Sequence, residues 1–209
     1  MFVKVCGLRT GEDVEAAVDA GADAVGFVLT ASPRQVDRDL VRNLVAAVPE
    51  NVMTVAVFRG ESAREIADTA MACGVAAVQL HGNYTVDDFE FLRNFPLKLV
   101  RAVRATTNGG GELPHSGDLG EDMLLVDSSV PGSGQSWDWS EWVARRSEKN
   151  WLLAGGLRPD NIAEAIEMLA PWGVDVSSGV ERSRGVKEPR LIREFVSAAK
   201  SAARSLLPN

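Results

Sequence analysis

The 209-residue chain has few of the residues that usually announce a special chemistry: two cysteines, two histidines and one tyrosine, with aromatics at 6%. Cys6 and Cys73 are too few to build a disulfide framework, and neither has a CxxC or His-rich metal spacing beside it. Both thiols are expected to be reduced, and no metal is expected. Basic charge is scarce as well. The 22 Lys and Arg against 29 Asp and Glu leave a net charge of -7, the wrong sign for a general nucleic-acid surface. No apolar run approaches the ~18 residues of a membrane span, and the first residues show no charged segment followed by an apolar one. These absences predict a cytoplasmic protein that acts on something small, without nucleic acid or membrane as partner.

What the chain does have is apolar material in a regular arrangement. Hydrophobic residues make up 45% and charged residues 24%, enough for a substantial core. Eight short runs rich in Val, Leu and Phe recur: Phe2 to Cys6, Ala24 to Leu29, Val52 to Phe58, Val75 to Leu80, Leu97 to Val103, Met123 to Asp127, Trp151 to Ala154 and Val174 to Val176. They start 22 to 28 residues apart, room for a strand, a crossover helix and two loops each time. Segments with helical spacing lie between them, among them Gly11 to Ala20, Asp37 to Val48, Ser62 to Ala72 and Asn161 to Leu169, several opening with a cap residue or with Pro159 in the first turn. Continuous rather than alternating apolar strands indicate a parallel sheet covered by helices. Eight such units without a composition break predict one closed (βα)8 barrel spanning 1–209, near the lower size limit of about 200 residues for that fold. A doubly wound sheet is the alternative, but Val5-Cys6-Gly7-Leu8-Arg9 is not a GxGxxG fingerprint. Ala105 to Glu121, with Gly109-Gly110-Gly111, Pro114 and Gly117, has almost no helical periodicity, so the fifth helix is expected to be reduced to a loop.

In such a barrel the loops after the strands build the site, so the polar residues that end apolar runs come first. They are Cys6, Ser32-Pro33-Arg34, Gln79-Leu80-His81-Gly82, Asp127-Ser128-Ser129, Gly155-Gly156, and Asp175 with Ser177-Ser178-Gly179. Together with Val3-Lys4-Val5-Cys6-Gly7, Gly132-Ser133-Gly134-Gln135-Ser136-Trp137-Asp138-Trp139, Leu153-Ala154-Gly155-Gly156-Leu157 and Gly173 through Glu181, the pieces resemble in order the phosphoribosylanthranilate isomerase family of tryptophan biosynthesis. Seven pieces in register, over essentially the full chain, carry the resemblance. It implies an Amadori rearrangement of N-(5-phosphoribosyl)anthranilate: the furanose opens to a Schiff base, loses the C2 proton and becomes a ketose.

The resemblance implies Asp127 as the general acid that protonates the ring oxygen and Cys6 as the general base that takes the C2 proton. A free carboxyl near ~4 is ionised at neutral pH and a free thiol near ~8.5 is protonated, so each needs a shifted pKa. Desolvation is expected to raise Asp127, and nearby cations to lower Cys6. Period-two geometry puts Lys4 on the Cys6 face, pointing into the barrel, as a source of positive potential. Taken alone, Cys6 would read as a small buried hydrophobe.

Arg34 is expected to hold the anthranilate carboxylate through two parallel donors. Asp175 is expected at the mouth, against the substrate amine or balancing Lys4. Gln79 and His81 share an inward face and are read as support, since a lone strand-end histidine is more often a hydrogen-bond partner than a base. Gly155, Gly156, Ser178 and Gly179 are expected to bind the phosphate with backbone N–H groups, because glycine permits close approach. Gly132 and Gly134 are read as a mobile flap. His115 gets no role, and Cys73 reads as core. Leu29-Thr30-Ala31, Gln135 and Trp137 depart from the family pattern without touching acid or base.

No cofactor is implied, because electrons move only within the substrate. The chain is expected to be a monomer or a homodimer. Three other readings compete. The histidine-pathway phosphoribosyl-formimino isomerase, or a dual-substrate relative, carries an aspartate where Cys6 stands and a second phosphate cradle. A metal-dependent epimerase needs paired His and Asp ligands. A phosphate-binding barrel without catalysis is the third.

Overall fold

A computed structural model describes residues 1–104, 114–127 and 150–206. Eight parallel strands close on themselves in chain order: β1 (Phe2–Cys6), β2 (Ala24–Val28), β3 (Met53–Phe58), β4 (Ala77–His81), β5 (Lys98–Arg104), β6 (Met123–Asp127), β7 (Trp151–Leu153) and β8 (Gly173–Val176). The β1–β8 seam closes in the register Lys4 to Asp175, with both side chains on the inward parity. The expected barrel is therefore the observed one, with strand ends displaced by no more than two residues. The largest displacement is at β4, which starts at Ala77 because Gly74 ends the preceding helix in the left-handed conformation at φ +70°.

The crossover helices begin where side chains satisfy their free N–H groups. Thr10 caps α1 (Gly11–Asp19) and Asp37 caps α2 (Arg38–Val45). Ser62 with Glu65, and Thr85 with Asp88, form reciprocal capping boxes on α3 (Ala63–Cys73) and α4 (Val86–Leu92). Asn161 begins α5 (Ile162–Leu169) without a side-chain cap bond; its Nδ2 donates to Gly156 O at 3.0 Å and its Oδ1 accepts from Arg158 N at 2.8 Å. Pro159 sits in the turn before α5, not in its first turn. The α6 helix (Pro189–Ser205) opens on Pro189 and buries Ile192, Phe195, Val196, Ala199 and Ala202 along one stripe. It packs against α1 and α5 and closes the outer ring. Helices α4 and α6 lie outside the helical segments named from the sequence. Between β5 and β6, the described residues 114–122 hold turns and no helix.

Strand residues of opposite parity feed two cores. Val3, Val5, Val25, Phe27, Leu99, Leu124 and Val174 face the helices in the large outer core. Inside the barrel, Val100, Ala102, Met123, Leu125 and Leu152 fill one sector, and Ala24, Val55 and Ala77 another. Cys6, Val28 and Val57 form a small cluster near the C-terminal rim. Polar Lys4, Gln79 and Asp175 interrupt this apolar filling on the same inward parity, so the upper barrel is a chemical compartment. After β8 a 3-10 turn (Ser178–Val180) leads into an antiparallel hairpin, β9 (Glu181–Ser183) and β10 (Val186–Lys187), which returns the chain to the mouth.

Candidate active site

Cys6 is the last residue of β1 and Asp127 the last of β6, so both stand at the C-terminal rim on the inward parity, three strands apart around the wall. Space for the Cys6 sulfur comes from Gly26 on the adjacent strand. A Cβ there would lie 2.9 Å from Cys6 Sγ and 3.2 Å from Lys4 Cε, so any larger residue would displace both. Asp127 pairs in register with Arg104 and lines a groove of about 1110 Å³ together with Arg59, His81, Tyr84 and Arg101. Arg104 received no role from the sequence.

Lys4 is fully buried and its Nζ donates to Asp175 Oδ1 at 2.8 Å. Of the two contacts open to Asp175, the structure makes the one to Lys4. Burial works against the Lys4 ammonium, but Asp175 and Cys6 outweigh it and hold its pKa above the usual value. The Cys6 thiol departs from expectation. Burial pushes it up, Lys4 and Lys187 pull it down, Asp175 adds to the rise, and the net direction is upward. The cations at the site thus do not lower Cys6 overall, because Asp175 neutralises the nearest one and desolvation exceeds what remains.

Gln79 Nε2 lies 2.6 Å from His81 Nε2, an arrangement in which the amide donates and an unprotonated ring nitrogen accepts. Burial, with Lys4, Arg59 and Arg104 nearby, pushes the imidazole down to about 4, so His81 is neutral at physiological pH. Gln79 Oε1 is buried without a partner among the described residues.

Arg34 is 8% exposed, and its guanidinium grips Glu181 with Nε at 2.6 Å and Nη2 at 3.1 Å. One bidentate edge of the fork, Nε with Nη2, is thereby occupied within the protein. The Arg34 stem crosses Gly7 closely enough that a Cβ there would fall 2.7 Å from Cδ, which sets the guanidinium next to the end of β1. Sequence reasoning gave no role to Glu181 or Lys187. The buried Lys187 Nζ donates to Ser177 O at 2.7 Å and to Glu181 Oε1 at 3.1 Å. A two-residue strand beyond the eighth run carries no periodicity that would have marked it.

The loops after β7 and β8 interlock. Gly155 and Gly156 have φ +86° and +69°, and a Cβ on Gly179 would run into the Leu157 carbonyl oxygen. The backbone N–H groups of Gly155, Gly156, Ser178 and Gly179 find no acceptor among the described residues. Gly132 and Gly134, with Gln135 and Trp137, lie outside the described residues.

A strand-end carboxyl and thiol, a neutral imidazole and two glycine loops at the rim of one closed barrel are the equipment of an acid–base barrel enzyme. The family model for N-(5'phosphoribosyl)anthranilate (PRA) isomerase matches residues 3–198, and the chain belongs to that family. It is 41% identical to the N-(5'-phosphoribosyl)anthranilate isomerase of Streptococcus pneumoniae (strain Taiwan19F-14) over 198 residues, covering 95% of each chain. Among solved structures it resembles TrpF from Jonesia denitrificans at 40% identity and TM-score 0.86, covering 97% of this chain and 98% of that one. A phosphoribosyl anthranilate isomerase in complex with reduced 1-(o-carboxyphenylamino)-1-deoxyribulose 5-phosphate matches at 31% identity and TM-score 0.81, covering 96% and 99%.

Proposed function

We infer that Cys6 and Asp127 carry the reaction of this isomerase, which converts N-(5-phosphoribosyl)anthranilate to 1-(2-carboxyphenylamino)-1-deoxyribulose 5-phosphate in tryptophan biosynthesis. Asp127 gives its proton to the furanose oxygen as the C1–O bond breaks, and the nitrogen lone pair completes the Schiff base. The Cys6 thiolate then takes the C2 proton, and that C–H pair becomes the enolamine double bond, which tautomerises to the ketose. Each electron pair stays within the substrate.

The observation that supports these roles best is placement: the thiol and the carboxyl end their strands at one rim, on the inward parity, apart around the wall. An opened sugar fits between two such groups as it could not between neighbours on one strand. Lys4 and Lys187 stabilise the thiolate, and the neutral His81, held by Gln79, offers a hydrogen bond without adding charge. Arg34 faces the anthranilate carboxylate. Gly155, Gly156, Ser178 and Gly179 cradle the phosphate through their backbone N–H groups, which find no acceptor among the described residues. The chain works as one catalytic unit over 1–209, in the cytoplasm, as a monomer or homodimer; the proposed groups all come from a single chain. Steady-state assays with the anthranilate substrate and with the histidine-pathway formimino substrate test this reading: turnover of the first alone is expected, and turnover of the second alone overturns it.

A further inference from the structure

Three charged groups of the β8 region and the second loop are buried together. Glu181 accepts four hydrogen bonds, from Arg34 Nε (2.6 Å), Arg34 Nη2 (3.1 Å), Gly185 N (3.0 Å) and Lys187 Nζ (3.1 Å). Lys187 is 3% exposed, and its remaining donors go to Ser177 O (2.7 Å) and Ser177 Oγ (3.3 Å). A buried lysine is expensive unless every donor is engaged, and here every one is. Ser177 directly precedes Ser178 of the phosphate loop. The hairpin is seated on the second loop: Gly185 has φ +81°, a Cβ there would lie 2.5 Å from Pro33 O, and Arg9 Nη1 donates to Gly185 O at 3.2 Å. Arg34 and Lys187 thus share one carboxylate, so the position of either depends on the other.

We propose that Lys187 is a positioning residue for this reaction: through Glu181 it fixes the guanidinium of Arg34, and through Ser177 it anchors the start of the phosphate loop to the same point. Without the ammonium, Glu181 is left with a single cationic partner and draws Arg34 inward, away from the carboxylate. The inference rests on the reading of Arg34 given above.

The test compares the natural substrate with the same phosphoribosylamine made from aniline, which lacks the carboxylate. Lys187→Met keeps the apolar stem and removes the charge. It is expected to lower kcat/KM about 30-fold for the anthranilate substrate, mostly through KM, and under about threefold for the aniline analogue, as fits loss of one charge-assisted contact. Lys187→Arg is expected to recover most of the difference, and Lys187→Met to add little in an Arg34→Met background. Should Lys187→Met fail to fold, Glu181→Gln is read in the same way. Equal losses on both substrates, additivity with Arg34→Met, or kcat/KM within twofold of the parent overturn the proposal. A parent enzyme that does not discriminate the two substrates overturns the Arg34 reading instead.

Discussion

At Cys6 two kinds of neighbour compete, and burial wins. The thiol is raised above 9.0 although Lys4 and Lys187 favour its charged form. In the proposed mechanism Cys6 acts as thiolate and Asp127 as acid. Ionisation of the thiol is therefore expected to need a pH above the ordinary thiol range. The pH midpoint of Cys6 alkylation by iodoacetamide, followed by mass, is expected above that of a free thiol and further up in Lys4→Met; a midpoint below that of a free thiol would count against it. His81 gives a separate signature in stability. Its pKa falls from 6.5 when unfolded to about 4 when folded, so the unfolded chain binds the extra proton between those values. The contribution is intact above pH 6.5, is lost as pH falls toward 4, and amounts to ~3 kcal/mol at most. Urea denaturation across that range is expected to show the slope, and His81→Asn to reduce it. Cys6, Asp127 and Arg34 were legible because each closes an apolar run or follows one in a recognisable motif. Glu181 was not, because its partner Arg34 lies 147 positions away, nor was Lys187, which meets Arg34 only through Glu181.

Elements differ in how far local patterning reveals them. The caps Thr10, Asp37 and Ser62 stand beside visible helical stretches and mark their starts. The hairpin β9–β10 has strands of three and two residues, too short for any alternation, and exists because Glu181 and Gly185 have partners across the mouth. The α6 helix is tied to the start of β1 and β2 by tertiary contact: Lys200 Nζ reaches Asp23 Oδ2 at 2.5 Å, which also accepts from Val3 N at 2.7 Å. Phe195 on the buried stripe is fully inaccessible, so Phe195→Ala is expected to cost about 3–5 kcal/mol in a denaturation experiment while leaving KM of the remaining folded enzyme unchanged. At the phosphate loops, Gly179→Ala is expected to act the other way, because the added methyl collides with Leu157 O and separates the two loops. Competition by inorganic phosphate is expected to weaken at least tenfold in that variant, and unchanged competition would remove Gly179 from the cradle.

For the whole molecule, the regular spacing of eight apolar runs dictates a closed sheet, because each parallel strand must be covered by its crossover helix and the last strand must find the first. Closure at Lys4 and Asp175 brings residues 171 positions apart into a 2.8 Å contact. That contact explains why the charge balance around Cys6 could not be read in advance: Lys4 was visible as a cation on the right face, but its neutralisation depends on barrel closure. Asp127 as the acid at the ring oxygen and Cys6 as the base at C2 are tested most directly by turnover of N-(5-phosphoribosyl)anthranilate by Cys6→Ala and Asp127→Asn, alongside the affinity of both variants for the reduced product. Each variant is expected to lose at least ~1000-fold in kcat, within the range for removing an acid or base, while binding the reduced product within a few-fold of the parent. Turnover within tenfold of the parent in either variant would contradict the assignment.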